Sequence, residues 1–470
     1  PERLIKIDVG SRVVQDEPVA MGKHEGEQES LFVTHQQLRS QSHPYYRAVN
    51  RVLGEHGFDR YVEKLCARFY AKKMGRPGLA PGVYFRSLLL GFFEGIDSER
   101  GIAWRAADSL SLRDFLGIPT TKQTPDHSTI SRTRRLIDVE THQAVFTWVL
   151  SVLDGAGLIK GKTIGVDATT LEANAAMRSI VRRDDGRTYQ TFLEDLARAS
   201  GIETPTREDL ARLDRKRKKK GSNDDWYNPN DPDAKITKMK DGRTHLAHKE
   251  EQAVDMDTGA VVAVTIGPAT AGDTATIEGT LDAAVQNLDD ARELAGDESQ
   301  REGDPEEAVG DKGYHSKMVL LSLAQEGWRT YIAEPQRGRQ KWADQAAEQA
   351  AVYANRRRKN GRRGRALMRL RGELLERPFA HAFETGGMRR THLREHENIA
   401  KRLLVHVAGV NLALLMRTRF GVGKPRCLQG RPAAFAAALI AFLRWLCLPV
   451  RLLLDSSGPG WRPELIAQSS

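Results

Sequence analysis

The stretch TIGVDATTLEANA (163–175) decides how the chain is read. Its apolar, β-branched start has the pattern of a buried strand, and that strand delivers Asp167 to its end. A carboxylate there is costly unless it is paired or bound to a cation. The strand thus raises a chemical question along with a structural one.

Downstream, LAHKEEQAVDM and AVVAVTIGPAT read as two strands joined through Asp257-Thr258-Gly259, and DTATIEGTLDAAVQNLDDARELA reads as a helix. A short strand EAVG ending at Asp311, a helix SKMVLLSLAQEG, a strand RTYIAEP and a long basic helical region follow. The order βββαβαβα predicts an α/β domain over 156–420. Asp311, in AVGDKGYHS, follows its strand much as Asp167 follows its own. Acids at strand ends of such a sheet face the crevice where ligands bind. Two converging carboxylates repel each other, and a divalent cation relieves this by taking both as oxygen ligands. A third acid is available from RLRGELLERPFAHAFETGG as Glu373, Glu376 or Glu384. Three such acids would hold two Mg²⁺ roughly 4 Å apart for in-line phosphoryl transfer.

Upstream, residues 1–43 read as a loose polar arm and 44–155 as an all-α domain, with GVYFRSLLLGFFEGI its most apolar helix. In TPDHSTISRTRRLI, Thr124 is the expected N-cap and Pro125 the first helical residue. Arg132, Arg134 and Arg135 on that helix suit a DNA groove or its phosphates. Two insertions interrupt the α/β domain. The polar one, about 178–243, contains RKRKKKGSNDDWYNPNDPDAK and is expected to be a mobile surface segment touching DNA. Trp226 and Tyr227 within it suit either base stacking or packing on the core. The basic one, about 336–365, carries NRRRKNGRRGR, where Arg356, Arg357, Arg358, Arg362 and Arg363 are the expected phosphate contacts.

The 470 residues carry a net charge of +10 and a sequence pI near 9.4, which attracts a polyanion over long range. Cys66, Cys427 and Cys447 form no CxxC pair, so neither a disulfide framework nor a zinc cluster is expected, and a cytoplasmic setting fits. Residues 421–470 read as a C-terminal helical tail. Its apolar run, 433–454, is interrupted by Arg444, Pro449 and Arg451 and is expected to pack rather than span a membrane. His392 and His396, four apart, lack further ligands at metal spacing, and His315 reads as structural.

GVDATTLEANA, DPDAKITKMKDGRTHLAHKEEQAVD, GDKGYHS and ERPFAHAFETGGMRRTHLREHENIAKRLLVHVAGVNLALLMR together resemble the DDE transposases of bacterial insertion sequences. The nearest group looks like the insertion-sequence-five-like enzymes, some of which have an N-terminal helical domain similar to GRPGLAPGVYFRSLLLGFFEGIDSERGIAWRAADSLSLRDFLG. The resemblance spans most of 44–418. It implies an RNase H-like catalytic domain preceded by a helical DNA-binding domain. It also implies cleavage and strand transfer with Mg²⁺, or Mn²⁺, at terminal inverted repeats of double-stranded DNA, by a dimer or larger assembly pairing two ends. Carried over by motif, Asp167, Asp311 and Glu376 are the acids and metal ligands, separated by 144 and 65 residues. Glu373 is the runner-up for the third. Arg371 is expected to grip a phosphate near the metals.

Two departures from the family pattern stand out. The lysine expected after the third acid has no match, and the family usually shows Gly where this chain has Glu395. Glu395 is the support for an alternative, a transposase-derived DNA-binding protein that no longer catalyses. An aspartyl phosphatase is disfavoured, because position 169 is Thr rather than a second acid.

Overall fold

The computed structural model describes residues 42–71, 78–217, 221–239, 242–301, 303–336, 338 and 340–428. The expected N-terminal arm and the apolar run 433–454 lie outside the described residues. The described elements from Pro44 to Gly155 are all helical: α1 (Pro44–Glu55), α2 (Phe58–Cys66), α3 (Pro81–Glu94), α4 (Glu99–Ala107), α5 (Leu110–Phe115), α6 (His127–Leu136) and α7 (Val139–Gly155), with one 3₁₀ turn at Ala67–Phe69. Ser98, Ser109, Asp126 and Asp138 cap four of them through side-chain oxygens. The α6 cap is therefore Asp126 rather than Thr124, since Asp126 accepts from the Ser128 N–H at 2.8 Å and Pro125 precedes the helix.

The chain then enters β1 (Thr163–Glu172). An insertion follows, with β2 (Val181–Arg182), α8 (Tyr189–Ala199), α9 (Arg207–Lys216), β3 (Trp226–Tyr227) and β4 (Lys235–Lys238). Next come β5 (Thr244–Asp255), β6 (Val261–Pro268), α10 (Asp273–Ala295), β7 (Glu307–Gly310), α11 (Lys317–Gln325), β8 (Arg329–Ile332), α12 (Ala346–Asn360), α13 (Arg362–Ala380) and α14 (His396–Phe420). The main sheet runs β6-β5-β1-β7-β8, with β4 on the opening residues of β5. β5 is antiparallel to β1 and β6, whereas β7 is parallel to β1 and β8 to β7.

Helices cover both faces of this mixed sheet. The α10 face receives Lys249 and Glu251 of β5, which bond or pair with Thr276 and Thr280. Alternation sends Gln252 and Glu250 to the opposite face, under α13 and α14. There Gly165 is required, because a Cβ would lie 2.5 Å from Met256 Sδ and 2.7 Å from Leu375 Cδ2. α14 is apolar and long enough to cross a bilayer, yet 83% of its most apolar window is buried inside the protein, as in a core helix. One continuous cluster joins the N-terminal helices, the sheet and α14, from Tyr45 and Phe92 through Ile164 to Met416.

The polar insertion departs from the expected mobile segment. Ala173, Ile180, Trp226, Ala234 and Leu246 form a small core of their own, with Tyr189 and Phe192 against it. Its charges pair locally, as in Arg187 with Asp195 and Arg217 with Asp214. Enough apolar side chains lie between the charge runs to fold a lobe around one tryptophan. Trp226 is 2% exposed, so it packs rather than presenting a stacking face.

Candidate active site and basic surface

The parallel register aligns Thr163 with Glu307, Ile164 with Ala308 and Gly165 with Val309. Two residues beyond the last pair stand Asp167, still within β1, and Asp311, which directly follows β7. Asp167 accepts from the Ala168 N–H at 2.9 Å. Asp311 caps the 3₁₀ turn Lys312–Tyr314 by accepting from the Gly313 N–H at 2.7 Å. A Cβ at Gly313 would sit 2.3 Å from Asp273 Oδ2 and 2.9 Å from Asp311 Oδ1, so a larger residue would displace these carboxylates.

A buried network fixes that turn to the sheet. Tyr314 is 1% exposed and donates to Glu251 Oε1 at 2.9 Å. Glu251 also accepts from Thr276 at 2.8 Å, and Lys249 Nζ reaches Glu251 and Asp273 at 3.3 and 2.8 Å. Burial and the neighbouring Glu251 carboxylate push the Tyr314 hydroxyl far above its ordinary value, keeping it a donor. The motif GDKGY thus owes its last residue to this anchor.

α13 lies along the face that carries Asp167. Its Arg371 points a guanidinium at Asp167, with Nη1 4.0 Å from Oδ2, as expected of a group near the acids. That orientation turns the α13 glutamates elsewhere. At about 100° per residue, Glu376 lies about 140° around the helix from Arg371 and Glu373 about 160°. Glu376 is exposed, Glu373 is paired with Arg377 and Glu384 with Arg389. Glu376 thus faces away from Asp167, while the β1–β7 register sets Asp311 just past the strand that neighbours Asp167. Among the described residues, no group of three acid, histidine or cysteine side chains stands at metal-binding spacing.

Two β5 residues beside Asp167 escaped sequence reading. Gln252 is the direct cross-strand partner of Asp167, and Glu250 is two residues along the same face. Both are buried, at 1% and 0% exposure. Gln252 Nε2 donates to Glu250 Oε1 at 2.6 Å, and burial pushes the Glu250 carboxyl up to about 7. In HKEEQAVD they resembled one more charged strand segment.

The arginines expected at DNA divide into two groups. Arg134 is 8% exposed, bonds Glu99 at 2.9 Å and Asn398 at 2.6 Å, and joins α6 to α4 and α14. Arg358 donates to Thr330 O and Oγ1, both at 3.0 Å. Arg363 grips Glu307, and Arg356 pairs with Glu334 at 2.6 Å. All four are engaged within the fold: Arg134 is itself buried, Arg358 and Arg363 bond the buried Thr330 and Glu307, and the side chains of Arg356 and Arg363 stay 43% and 50% exposed. Arg132, Arg135, Arg357 and Arg362 are exposed. Arg362 lines a concavity with Lys359, Arg365, Arg369, Asn360, Met368 and Ala333. Lys359 and Arg365 belong to the run NRRRKNGRRGR without being among its expected contacts, and Arg369 lies beyond it.

His392 pairs with Asp97 at 2.6 Å, while His396 meets His248 edge-to-face with ring centroids 5.0 Å apart, so the two do not share a ligand. His315 is buried. Glu395 has φ +68°, a left-handed backbone, which explains why Gly is usual there. Its N–H donates to Asp231 at 3.2 Å and that of His396 to Asp233 at 2.9 Å, so the insertion clasps the N-terminus of α14. Despite burial, the His248 bond holds the Asp231 carboxyl below its usual range.

Neither the curated proteins nor the solved structures contain a match to this chain. Residues 33–136, covering α1 to α6, match a family model described as a transposase domain (DUF772), a similarity that points to a role in transposition.

Proposed function

We propose that the protein is a DDE transposase with an RNase H-like core, cutting and joining DNA at the terminal inverted repeats of an insertion sequence. The observation that carries this is the parallel β1–β7 register, in a sheet ordered β6-β5-β1-β7-β8 with one antiparallel side, with Asp167 on β1 and Asp311 directly after β7. The transposase-domain match upstream supports the same reading.

The residues fit a divalent metal. The donors are all hard oxygens, and buried acceptor atoms of Glu250 and Gln252 beside Asp167 have no hydrogen-bond partner among the described residues. Asp167 and Asp311 would hold Mg²⁺ or Mn²⁺, which when bound activates a water or 3′-hydroxyl and stabilises the leaving oxygen. The chain's own residues supply position and charge. Tyr314 and Glu251 keep the Asp311 turn in place, and Arg371 offers a guanidinium for a non-reacting phosphate oxygen. Lys359, Arg362, Arg365 and Arg369 supply the basic surface on which the duplex backbone would lie. A dimer or larger assembly would pair the two ends.

The test is cleavage of a labelled duplex carrying the inverted-repeat end, in Mg²⁺ or EDTA, with wild type and Asp167→Asn. Metal-dependent nicking that disappears in the variant is the expected result, and nicking that survives it refutes the assignment. The inactive DNA-binding reading loses its support from Glu395, whose departure from Gly is a matter of α14 backbone geometry.

A further inference from the structure

We infer that Arg371 guards the metal position: it sits over the Asp167 carboxylate while DNA is absent and yields it to the divalent cation when a DNA phosphate draws the guanidinium away. This deepens the metal-dependent reading above and rests on it. Asp167 gives Oδ1 to the Ala168 N–H at 2.9 Å, and its Oδ2 is the oxygen that Arg371 Nη1 approaches, at 4.0 Å. A cation bound at Asp167 would meet the guanidinium over the same carboxylate. The two carry like charge, and a guanidinium keeps its proton at any working pH, so titration does not remove the conflict. Movement of the side chain toward an anion does.

The contact is of a kind that exchanges easily. At 4.0 Å it is too long for a hydrogen bond, and the side chains of Arg371 and Asp167 are 24% and 21% exposed. Ion pairs so placed contribute little stability, whereas a phosphate offers the guanidinium short, charge-assisted and bidentate bonds. The helix that carries Arg371 stays in place. Its first turn is tied to Glu307 and Thr163 by Arg363, and beyond Arg371 the buried Leu375 lies over Gly165. The exchange is therefore a swing of one side chain between two fixed points of α13. Cation and DNA are then positively coupled, since the phosphate that engages Arg371 also clears Asp167, and by linkage each strengthens the binding of the other. The chain alone loads the ion poorly, which withholds the metal-dependent step until DNA is in place.

The test is Mn²⁺ binding by the full chain, followed through the electron paramagnetic resonance signal of the free ion, first without DNA. Arg371→Gln should bind the ion about 10-fold more tightly than wild type, the factor expected from removing one positive charge about 5 Å from a divalent ion in a water-like medium. Arg377→Gln, which removes a charge of α13 that pairs with Glu373 instead, should bind like wild type. Adding the inverted-repeat duplex should tighten Mn²⁺ binding by wild type, counted above what the same duplex gives with Asp167→Asn, and should tighten it less in Arg371→Gln. Thermal unfolding without metal checks that the variants are folded. If Arg371→Gln binds like wild type or more weakly, or if Arg377→Gln tightens binding equally, while Asp167→Asn loses the ion, the inference fails and the transposase reading stands. If Asp167→Asn itself binds like wild type, the inference and the metal role of Asp167 fall together. Metal-dependent nicking of the duplex judges the reaction separately in either case.

Discussion

Arg363 is the sharpest case of a basic residue whose role the structure reassigns, and Arg363→Met tests it. Arg363 Nε donates to both oxygens of Glu307 at 3.0 and 2.9 Å, and Nη2 donates to Thr163 Oγ1 at 3.0 Å. Thr163 Oγ1 and the Tyr331 hydroxyl donate to the same carboxylate at 2.8 and 3.1 Å. The first turn of α13 is thereby fastened to the opening residues of β1, β7 and β8. Burial alone would raise the Glu307 carboxyl, but the bonds from Arg363 and Thr163 hold it below its usual range. Breaking a buried pair by removing one partner costs about 3–5 kcal/mol. The Glu307 side chain is 3% exposed but that of Arg363 is 50%, and two hydroxyl donors remain. Screening therefore reduces the expected loss to about 2 kcal/mol. Urea unfolding at pH 7 would read this, and adding Glu307→Gln should recover at least half of it, since no bare carboxylate then remains. The loss should fade as pH falls through the depressed Glu307 pKa, because a protonated carboxyl needs no counter-charge. DNA affinity and its salt slope should stay at wild-type values, in contrast to Arg362→Ala. An Arg363→Met protein with unchanged unfolding and a shallower salt slope would refute the reasoning and return Arg363 to the phosphate contacts.

Two other predictions follow from single residues. His142 donates from Nδ1 to Asp138 O at 2.7 Å and accepts at Nε2 from the Tyr84 hydroxyl at 2.9 Å; burial pushes its pKa down to about 4. The unfolded chain binds a proton near pH 6.5, so stability should fall as pH drops from 6.5 to 4 by about 3 kcal/mol from this group, a slope that His142→Gln should flatten in urea titrations. Glu395→Gly should stabilise the protein by about 1 kcal/mol by relieving φ +68°, read as a higher melting temperature; a lower one would show that the Glu395 carboxylate, which accepts from Asn398 at 3.2 Å, outweighs the backbone strain.

Much of this was legible in the sequence because it depends on local pattern. The short strand before Asp311 and the turn Asp257-Thr258-Gly259 occur where the pattern places them, with Gly259 at φ +79°, but β1 runs on to Glu172, so Asp167 lies within the strand rather than at its end. What could not be read were facts of pairing. Gln252 faces Asp167 only because of the β1–β5 register, and a one-residue slip would have sent it to the α10 face. Arg134, Arg358 and Arg363 look in a linear string like neighbours that bond no other element among the described residues. Their acceptors lie on other elements, 35, 28 and 56 residues away for Glu99, Thr330 and Glu307. The insertion was misread for a related reason: its charge runs dominate its composition, while the Trp226 cluster that folds it is drawn from four separated segments.

The shared core gives these pieces one mechanical consequence. α7 packs on α10 and α14, Gln143 bonds Asn287 at 2.6 Å, and Asp154 accepts from Ser299 and Gln300 at 2.6 and 3.1 Å. The link from α7 into β1 is itself pinned, since Asp255 Oδ2 accepts from the Lys160 and Gly161 N–H groups at 2.6 and 2.9 Å. Asp255 ends β5, the strand that pairs with β1 along its length. A DNA end held on the exposed arginines of α6 would therefore be carried by a scaffold continuous with the strand that bears Asp167, rather than by a tethered module. Two packed faces, α7 on α10 and α3 on α14, oppose hinging between the helices that match a transposase domain and the sheet that holds the acids. On the proposed reading, motion that admits DNA is expected at the edges of this body. The basic α12–α13 corner is fastened to the sheet through Arg358 and Arg363, and also through Asn355, which bonds both the N–H and the O of Ile332 at 2.9 Å.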